Sequence, residues 1–168
     1  MAAPALVPMR YVFISSPIGR LLLAGDDAAL RVLWFAEGRH GGQPKPSWIE
    51  APDAFPAVRA QLRDYFAGTR RAFDVPLDPG GTPFQSRVWR ALRDIPYGET
   101  ISYGELARRI GQPNAVRAVG LANGANPVSI LIPCHRVIGA NGSLTGYGGG
   151  LPTKRALLSL EQGQGALL

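Results

Sequence analysis

Apolar and polar positions change rhythm about halfway along the chain. In the first third, short apolar runs alternate with turn-forming residues. Tyr11-Val12-Phe13-Ile14 leads into Ser16-Pro17-Ile18-Gly19, whose proline and glycine suit a turn. Runs from Arg20 to Gly25 and from Leu30 to Phe35 follow on either side of Asp26-Asp27, and the pattern predicts β-hairpins. Residues 38–47, with Gly41-Gly42 and two prolines, read as a loop. Val58, Leu62 and Tyr65 or Phe66 then recur at helical spacing, predicting a helix from Pro56 to about Phe66. Phe73-Asp74-Val75-Pro76-Leu77 alternates as a short edge strand would. Asp78-Pro79-Gly80-Gly81 is the best boundary, so domains are expected over residues 1–80 and 81–168.

Beyond that boundary the period turns helical. Thr82-Pro83-Phe84-Gln85 has the form of a capping box with proline at the first helical position, and Phe84, Val88, Leu92 and Ile95 repeat behind it. Pro96-Tyr97-Gly98 ends that helix. Ser102-Tyr103-Gly104-Glu105 reads as a second capping box, opening a helix with Leu106 and Ile110 inward. After the turn at Gly111-Gln112-Pro113, Asn114 leads a helix rich in alanine and valine to about Asn123-Gly124. Two short helices joined by a glycine-containing turn form the helix-turn-helix pattern. The second, Ala115 to Ala122, has Arg117 as its only charged side chain. Its small residues serve close packing against a neighbour and close approach to a DNA groove equally well. Pro152 starts a last helix, with Leu157, Leu158 and Leu160 inward. The expected fold is an α/β N-terminal domain followed by a mostly α C-terminal domain.

At 168 residues and 46% hydrophobic, the chain can bury a normal core. No apolar run is long enough to span a bilayer, and the first residues lack the charged start and apolar centre of a signal peptide. A soluble, cytoplasmic monomer is the expectation. The net charge of +6 is uneven: residues 1–80 carry nine basic and eight acidic side chains, residues 81–168 nine and four. A basic C-terminal half suits a polyanionic partner, although a basic surface also aids solubility. His40 is isolated and loop-borne, which fits a surface histidine.

The one cysteine, Cys134, lies in Leu131-Ile132-Pro133-Cys134-His135-Arg136-Val137-Ile138-Gly139. Alone it forms neither an internal disulfide nor a thiolate zinc site, and with two histidines in the chain no metal or other cofactor is expected. Buried packing and nucleophilic chemistry remain, and free cysteine is often a small hydrophobe. His135, the basic Arg136 and a rigid Pro133 favour the nucleophile, because thiolates form beside positive charge or a proton acceptor. Glu161, on the last helix, is a candidate to orient the imidazole.

Pro133-Cys134-His135-Arg136-Val137 resembles the active-site motif of the O6-alkylguanine-DNA alkyltransferases, also called methylated-DNA–protein-cysteine methyltransferases. The resemblance extends upstream through Arg117-Ala118-Val119-Gly120, Asn126-Pro127-Val128 and Ile130-Leu131-Ile132. Downstream it takes in Tyr147-Gly148-Gly149-Gly150-Leu151, Lys154 and Leu157-Leu158. It covers the chain from about Thr82 onward, and the N-terminal half matches loosely. It implies a ribonuclease H-like domain before a winged helix-turn-helix domain, with Gly139 to Gly150 as wing and substrate loop.

The implied reaction is irreversible, single-turnover transfer of an alkyl group from O6-alkylguanine in double-stranded DNA to Cys134. O4-alkylthymine is a further candidate lesion. The target base would be flipped out through the minor groove, with Arg117 filling the vacated space. By the same resemblance His135 acts as base through a bridging water, since consecutive side chains diverge, and Glu161 fixes its tautomer. Tyr103 would protonate the departing guanine, and Asn126 would satisfy backbone groups at a hinge. The carbonyls of Cys134 and Val137 would accept from the guanine amino group, and Tyr147–Gly148 would cover O6. Gln85 and Gln112 are weaker DNA-backbone candidates.

Two departures stand out. Gly148 replaces a hydroxyl residue of some relatives, leaving only its backbone N–H, and Gly124 stands where certain relatives carry a basic residue. A cysteine hydrolase is the first rival, but its partners usually meet from distant segments. A noncatalytic DNA-binding module is the second. Lesion sensors that resemble the family lack the acceptor cysteine that is present here.

Overall fold

Leu21-Leu22-Leu23-Ala24 is apolar at every position, a pattern that suits a strand covered on both faces. In the computed structural model, which describes residues 8–37 and 42–163, this run forms β2 (Leu21–Gly25), an inner strand whose first four residues are fully buried. It pairs antiparallel with β1 (Arg10–Ile14) and with β3 (Leu30–Phe35). A two-residue strand that the periodicity does not reveal, β4 (Ile49–Glu50), adds parallel to β1, giving the order β3-β2-β1-β4. The predicted turns form: the Gly19 N–H donates to the Ser16 carbonyl, and Asp26 Oδ1 accepts from the N–H groups of Ala28 and Ala29. His40 and the first seven residues lie outside the described residues.

The helix α1 (Pro56–Phe66) buries Val58, Leu62, Tyr65 and Phe66. The strand expected over 73–77 is instead one isolated bridge, Leu30 to Leu77. Pro76 has no N–H to continue a ladder, so its carbonyl accepts from Leu30 and the Asp78 N–H closes the bridge. The edge of β3 is then taken by a distant segment. The Leu33 N–H donates to the Pro127 carbonyl (2.9 Å), and the Ser129 N–H donates to the Leu33 carbonyl (3.2 Å).

The C-terminal half holds α2 (Pro83–Arg93), β5 (Ile101–Ser102), α3 (Tyr103–Arg109), α4 (Val116–Gly124), β6 (Val137–Ile138) and α5 (Leu151–Glu161). The Thr82 capping box forms in full, with Gln85 returning its side-chain oxygen to the Thr82 N–H. The second box forms only by half. Ser102 accepts from the Glu105 N–H, but the Glu105 carboxylate turns to Arg108 and Arg109, where two cations compete with one backbone donor. The next helix starts later than expected, at Val116 with Ala115 rather than Asn114 as its cap. Phe84 is only partly buried, whereas Trp89 lies deep between α2 and α4 and donates its indole N–H to the Ala122 carbonyl at 2.8 Å.

Both halves feed a single hydrophobic core that runs from Leu33 and Leu62 through Trp89 and Val128 to Leu157. Gly80 and Gly81 both have positive φ, which lets the chain turn sharply between the halves. Among the described residues, no helix is long and apolar enough to cross a membrane.

Candidate active site around Cys134

The segment between α4 and β6 is shaped by one side chain. Asn126 donates its amide to the Ile132 carbonyl (2.7 Å) and accepts from the Val128 N–H (3.0 Å), closing a loop that presents Cys134. Within it, Ile130 is buried at φ 73°, a conformation that costs energy for a β-branched residue and is held by its surroundings. Pro133 precedes a single 3-10 turn, Cys134–Arg136, whose three side chains are all buried.

Glu161, two turns after Lys154 on α5, organises the charges. Its Oε2 faces His135 Nε2 at 2.8 Å and accepts from Arg136 Nη2 at 3.0 Å, and its Oε1 accepts from Arg136 Nε at 2.7 Å. The fourth donor comes from the other half of the chain: the Tyr65 hydroxyl reaches Oε2 at 2.6 Å. Burial alone would raise the Glu161 carboxyl. The His135 hydrogen bond and the Arg136 guanidinium outweigh it and hold the group down at about 2. Burial holds the His135 imidazole below its ordinary value, with the carboxylate only partly offsetting it. A neutral ring donating Nε2–H to an ionised carboxylate leaves Nδ1 with a free lone pair.

Burial also pushes the Cys134 thiol up, against the smaller opposing influences of Asn126, Lys154 and Ser129. The sequence expectation that Arg136 would favour the thiolate is therefore corrected. Its guanidinium is committed to Glu161 and to the Ile95 carbonyl (2.7 Å), so the resting thiol stays protonated and needs a base. Lys154 is wholly buried and donates to the Val137 carbonyl at 2.7 Å. Three buried side-chain atoms among the described residues lack a hydrogen-bond partner: His135 Nδ1, the Tyr147 hydroxyl and Asn123 Oδ1. The Asn123 amide reaches the Cys134 carbonyl, and a charge on Cys134 is felt at Tyr147. Unpaired buried polar atoms are scarce in native proteins, and here one belongs to the residue after Cys134 and another to the asparagine that reaches the Cys134 carbonyl.

The other candidates lie at varying depth. Tyr103 opens α3, and its hydroxyl pairs with Thr145 Oγ1 at 2.5 Å. Arg117 is exposed at the start of α4. Tyr147 packs edge-on to Phe35 of the N-terminal sheet, with ring centroids 5.5 Å apart, and Gly148 is exposed. Val137 is buried, its carbonyl already engaged by Lys154. Gln85 is used in its cap, and Gln112 is half-buried at the turn before α4. The His135 imidazole, the Arg136 guanidinium and the Glu161 carboxylate are thus brought together, with Cys134 next to His135 in the chain, whereas Gln85 stands apart at the start of α2 and Gln112 in the turn before α4. Among the described residues, no group of three or more His, Cys, Asp or Glu is placed to hold a metal ion.

Sequence reasoning assigned no role to Tyr65, Lys154 or Asn123. Lys154 left a signal: it is one of two lysines in the chain and shares the inward face with Leu157, Leu158 and Glu161. Tyr65 left none, since its partner is 96 residues away.

Family models match both halves. Residues 9–79 match the ribonuclease-like domain of 6-O-methylguanine DNA methyltransferase, and residues 83–163 match its DNA-binding domain. The methylated-DNA–protein-cysteine methyltransferase of Methanosarcina acetivorans is 54% identical over 91% of this chain and 98% of its own. That of Mycobacterium tuberculosis is 56% identical over 92% and 93%. A crystal structure of Mycobacterium tuberculosis OGT in complex with DNA superposes with a TM-score of 0.88 at 55% identity, covering 94% of this chain and 95% of that one. With its sole cysteine preceding a buried histidine that pairs with a buried carboxylate, the chain belongs to the 6-O-methylguanine DNA methyltransferase family, the methylated-DNA–protein-cysteine methyltransferases of DNA repair.

Proposed function

We propose that Cys134 accepts the alkyl group of O6-alkylguanine in duplex DNA and that each molecule reacts once. The observation that carries this reading is the His135 ring. Glu161 takes Nε2–H, and the unpartnered Nδ1 is left as a base beside the only cysteine. A bridging water passes the thiol proton to Nδ1, because adjacent side chains on the turn diverge. The thiolate then attacks the alkyl carbon in line with its bond to O6. The C–S bond forms as the C–O bond breaks, and the bonding pair leaves with guanine. Tyr103 delivers a proton to the departing base and regains one from solvent. The thioether product has no hydrolysable bond, so the thiol does not return.

The damaged base sits inside the stack and must be extruded before attack. We assign Arg117, exposed on a helix of small residues, to the space the base leaves, with α4 in the minor groove. The loop 139–150, which contains no strand, together with β5 and β6 serves as the wing of a winged helix-turn-helix. Tyr147 and the Gly148 N–H cover O6, and the Cys134 and Val137 carbonyls read the guanine amino group. Asn126 keeps the cysteine loop in register. Gln85 and Gln112 contact the DNA backbone, O4-alkylthymine is a second substrate, and the protein acts as a cytoplasmic monomer divided near Gly80–Gly81. The solved DNA complex of a relative 55% identical supports DNA as partner.

Intact-mass analysis after mixing with an oligonucleotide containing O6-methylguanine tests the central claim. One methyl group on Cys134, absent in Cys134→Ala, is the expected result. An unmodified Cys134 in protein that still binds the lesion would replace this reading with that of a sensor.

A further inference from the structure

The charged cluster of the site is closed from outside the C-terminal half. Tyr65 belongs to α1, is fully buried, and directs its hydroxyl to the Glu161 oxygen that also faces His135. Burial and the neighbouring carboxylate push this phenol far above its ordinary value, so it acts only as a donor. Its ring is clamped by Phe66 at 5.4 Å and Phe73 at 5.3 Å on its own side, and by Tyr97 at 6.3 Å from the other half. A ring so constrained fixes where its hydroxyl can point. We infer that Tyr65 is a positioning residue for alkyl transfer, through which the ribonuclease-like half holds the carboxylate that orients His135.

The inference rests on the alkyl-transfer reading and deepens it. Oε2 is shared by three donors, and Arg136 constrains the carboxylate mainly through Oε1. Without the Tyr65 hydroxyl, Oε2 carries more charge towards His135 Nε2 and has more freedom to leave the ring plane. The imidazole then becomes more basic and less well aimed. Other groups that act on this carboxylate or ring stay in place: Arg136 from the 3-10 turn, Lys154 from α5, Tyr97 from the segment after α2, and Tyr147 from the substrate loop.

The test is Tyr65→Phe in the full chain, which keeps the ring and removes one oxygen. Single-turnover transfer from an O6-methylguanine oligonucleotide is measured across pH, with the His135 titration followed by NMR. The expected outcome is a transfer rate lowered about tenfold, as for loss of a hydrogen bond to a charged group, and a His135 titration moved upward. Tyr97→Phe is the reference. It keeps the ring that clamps Tyr65 and loses a 3.4 Å bond to the Leu160 carbonyl on the same helix, with no hydrogen bond to Glu161 removed, so rate and titration stay native. A Tyr65→Phe rate within about twofold of native overturns the inference, since the hydroxyl would then serve only to satisfy itself on burial. If Tyr65→Phe does not fold, a ring-fluorinated tyrosine at position 65, a stronger donor, reads the same link. The His135 titration must then move downward, and a native titration overturns the inference. Failure of the native protein to take up methyl would instead sink the alkyl-transfer reading.

Discussion

The two halves of the molecule carry their charges in opposite ways. Around the N-terminal sheet the ion pairs lie outside: Arg10 with Asp27, Arg20 with Glu37, and Arg31 between Asp26 and Asp78. Such pairs gain little, because water screens them and long side chains must be ordered. That half is stabilised by apolar burial along β2 and under α1. In the C-terminal half Glu161 and His135 are 1% and 0% exposed at the side chain, with Arg136 and Lys154 buried beside them. Buried charges bear a large desolvation cost that only good geometry offsets. The contrast teaches that one half leaves its charges where water screens them, while the other buries charges within the shared core to hold an imidazole and a thiol in chosen protonation states.

Glu161→Gln should break the comparison most sharply. It leaves the Arg136 guanidinium buried without its counter-charge, and a loss of about 3 kcal/mol is expected. Arg10→Ala at the sheet surface should leave the urea midpoint within error. Equal losses in the two variants would mean the buried cluster is not the costly element.

Acidification should act on the same half. His135 is held below its ordinary 6.5, so below that value the unfolded chain binds a proton the folded one resists. Glu161 is held below its ordinary 4.5, at about 2, so its contribution is complete above 4.5 and fades as pH falls towards 2. Both signs agree. Stability should decline from about pH 6.5 downward and steepen below about pH 4.5, and His135→Gln should remove the upper part of the decline. Thermal midpoints across pH check this.

Gly149→Ala should have the smallest effect. An added Cβ would lie 3.0 Å from three atoms of the Phe35 ring, where the N-terminal sheet meets the 139–150 loop. A transfer rate lowered about threefold, with little change in stability, is expected from such crowding. An unchanged single-turnover rate would mean that the loop does not depend on the sheet.

Much of the local architecture was legible. The helix from Pro56 to Phe66, the Thr82 capping box and the inward face of α5 follow from periodicity and end signals. The misreadings share a cause. Residues 73–77 alternate like a strand, but strand formation needs a partner edge, and β3 divides its edge between one bridge to Leu77 and one to Val128. Glu105 satisfied the spacing of a capping box while two arginines on the same helix competed for it. In the site, the Cys134-His135 pair and Glu161 stood out as residue types, yet the commitment of Arg136 to Glu161 did not.

By itself the sequence determined the helices and the first three strands, the change from strand to helix period near Gly80–Gly81, and the single cysteine with its adjacent imidazole. Those features depend on residue type and on spacing within a few turns of chain. Tertiary structure alone decided that the thiol rests protonated, that the imidazole keeps Nδ1 unpartnered, and that a tyrosine from the first half closes the cluster. Each of these depends on desolvation and on contacts between segments 25 to 96 residues apart, and no local pattern encodes such distances.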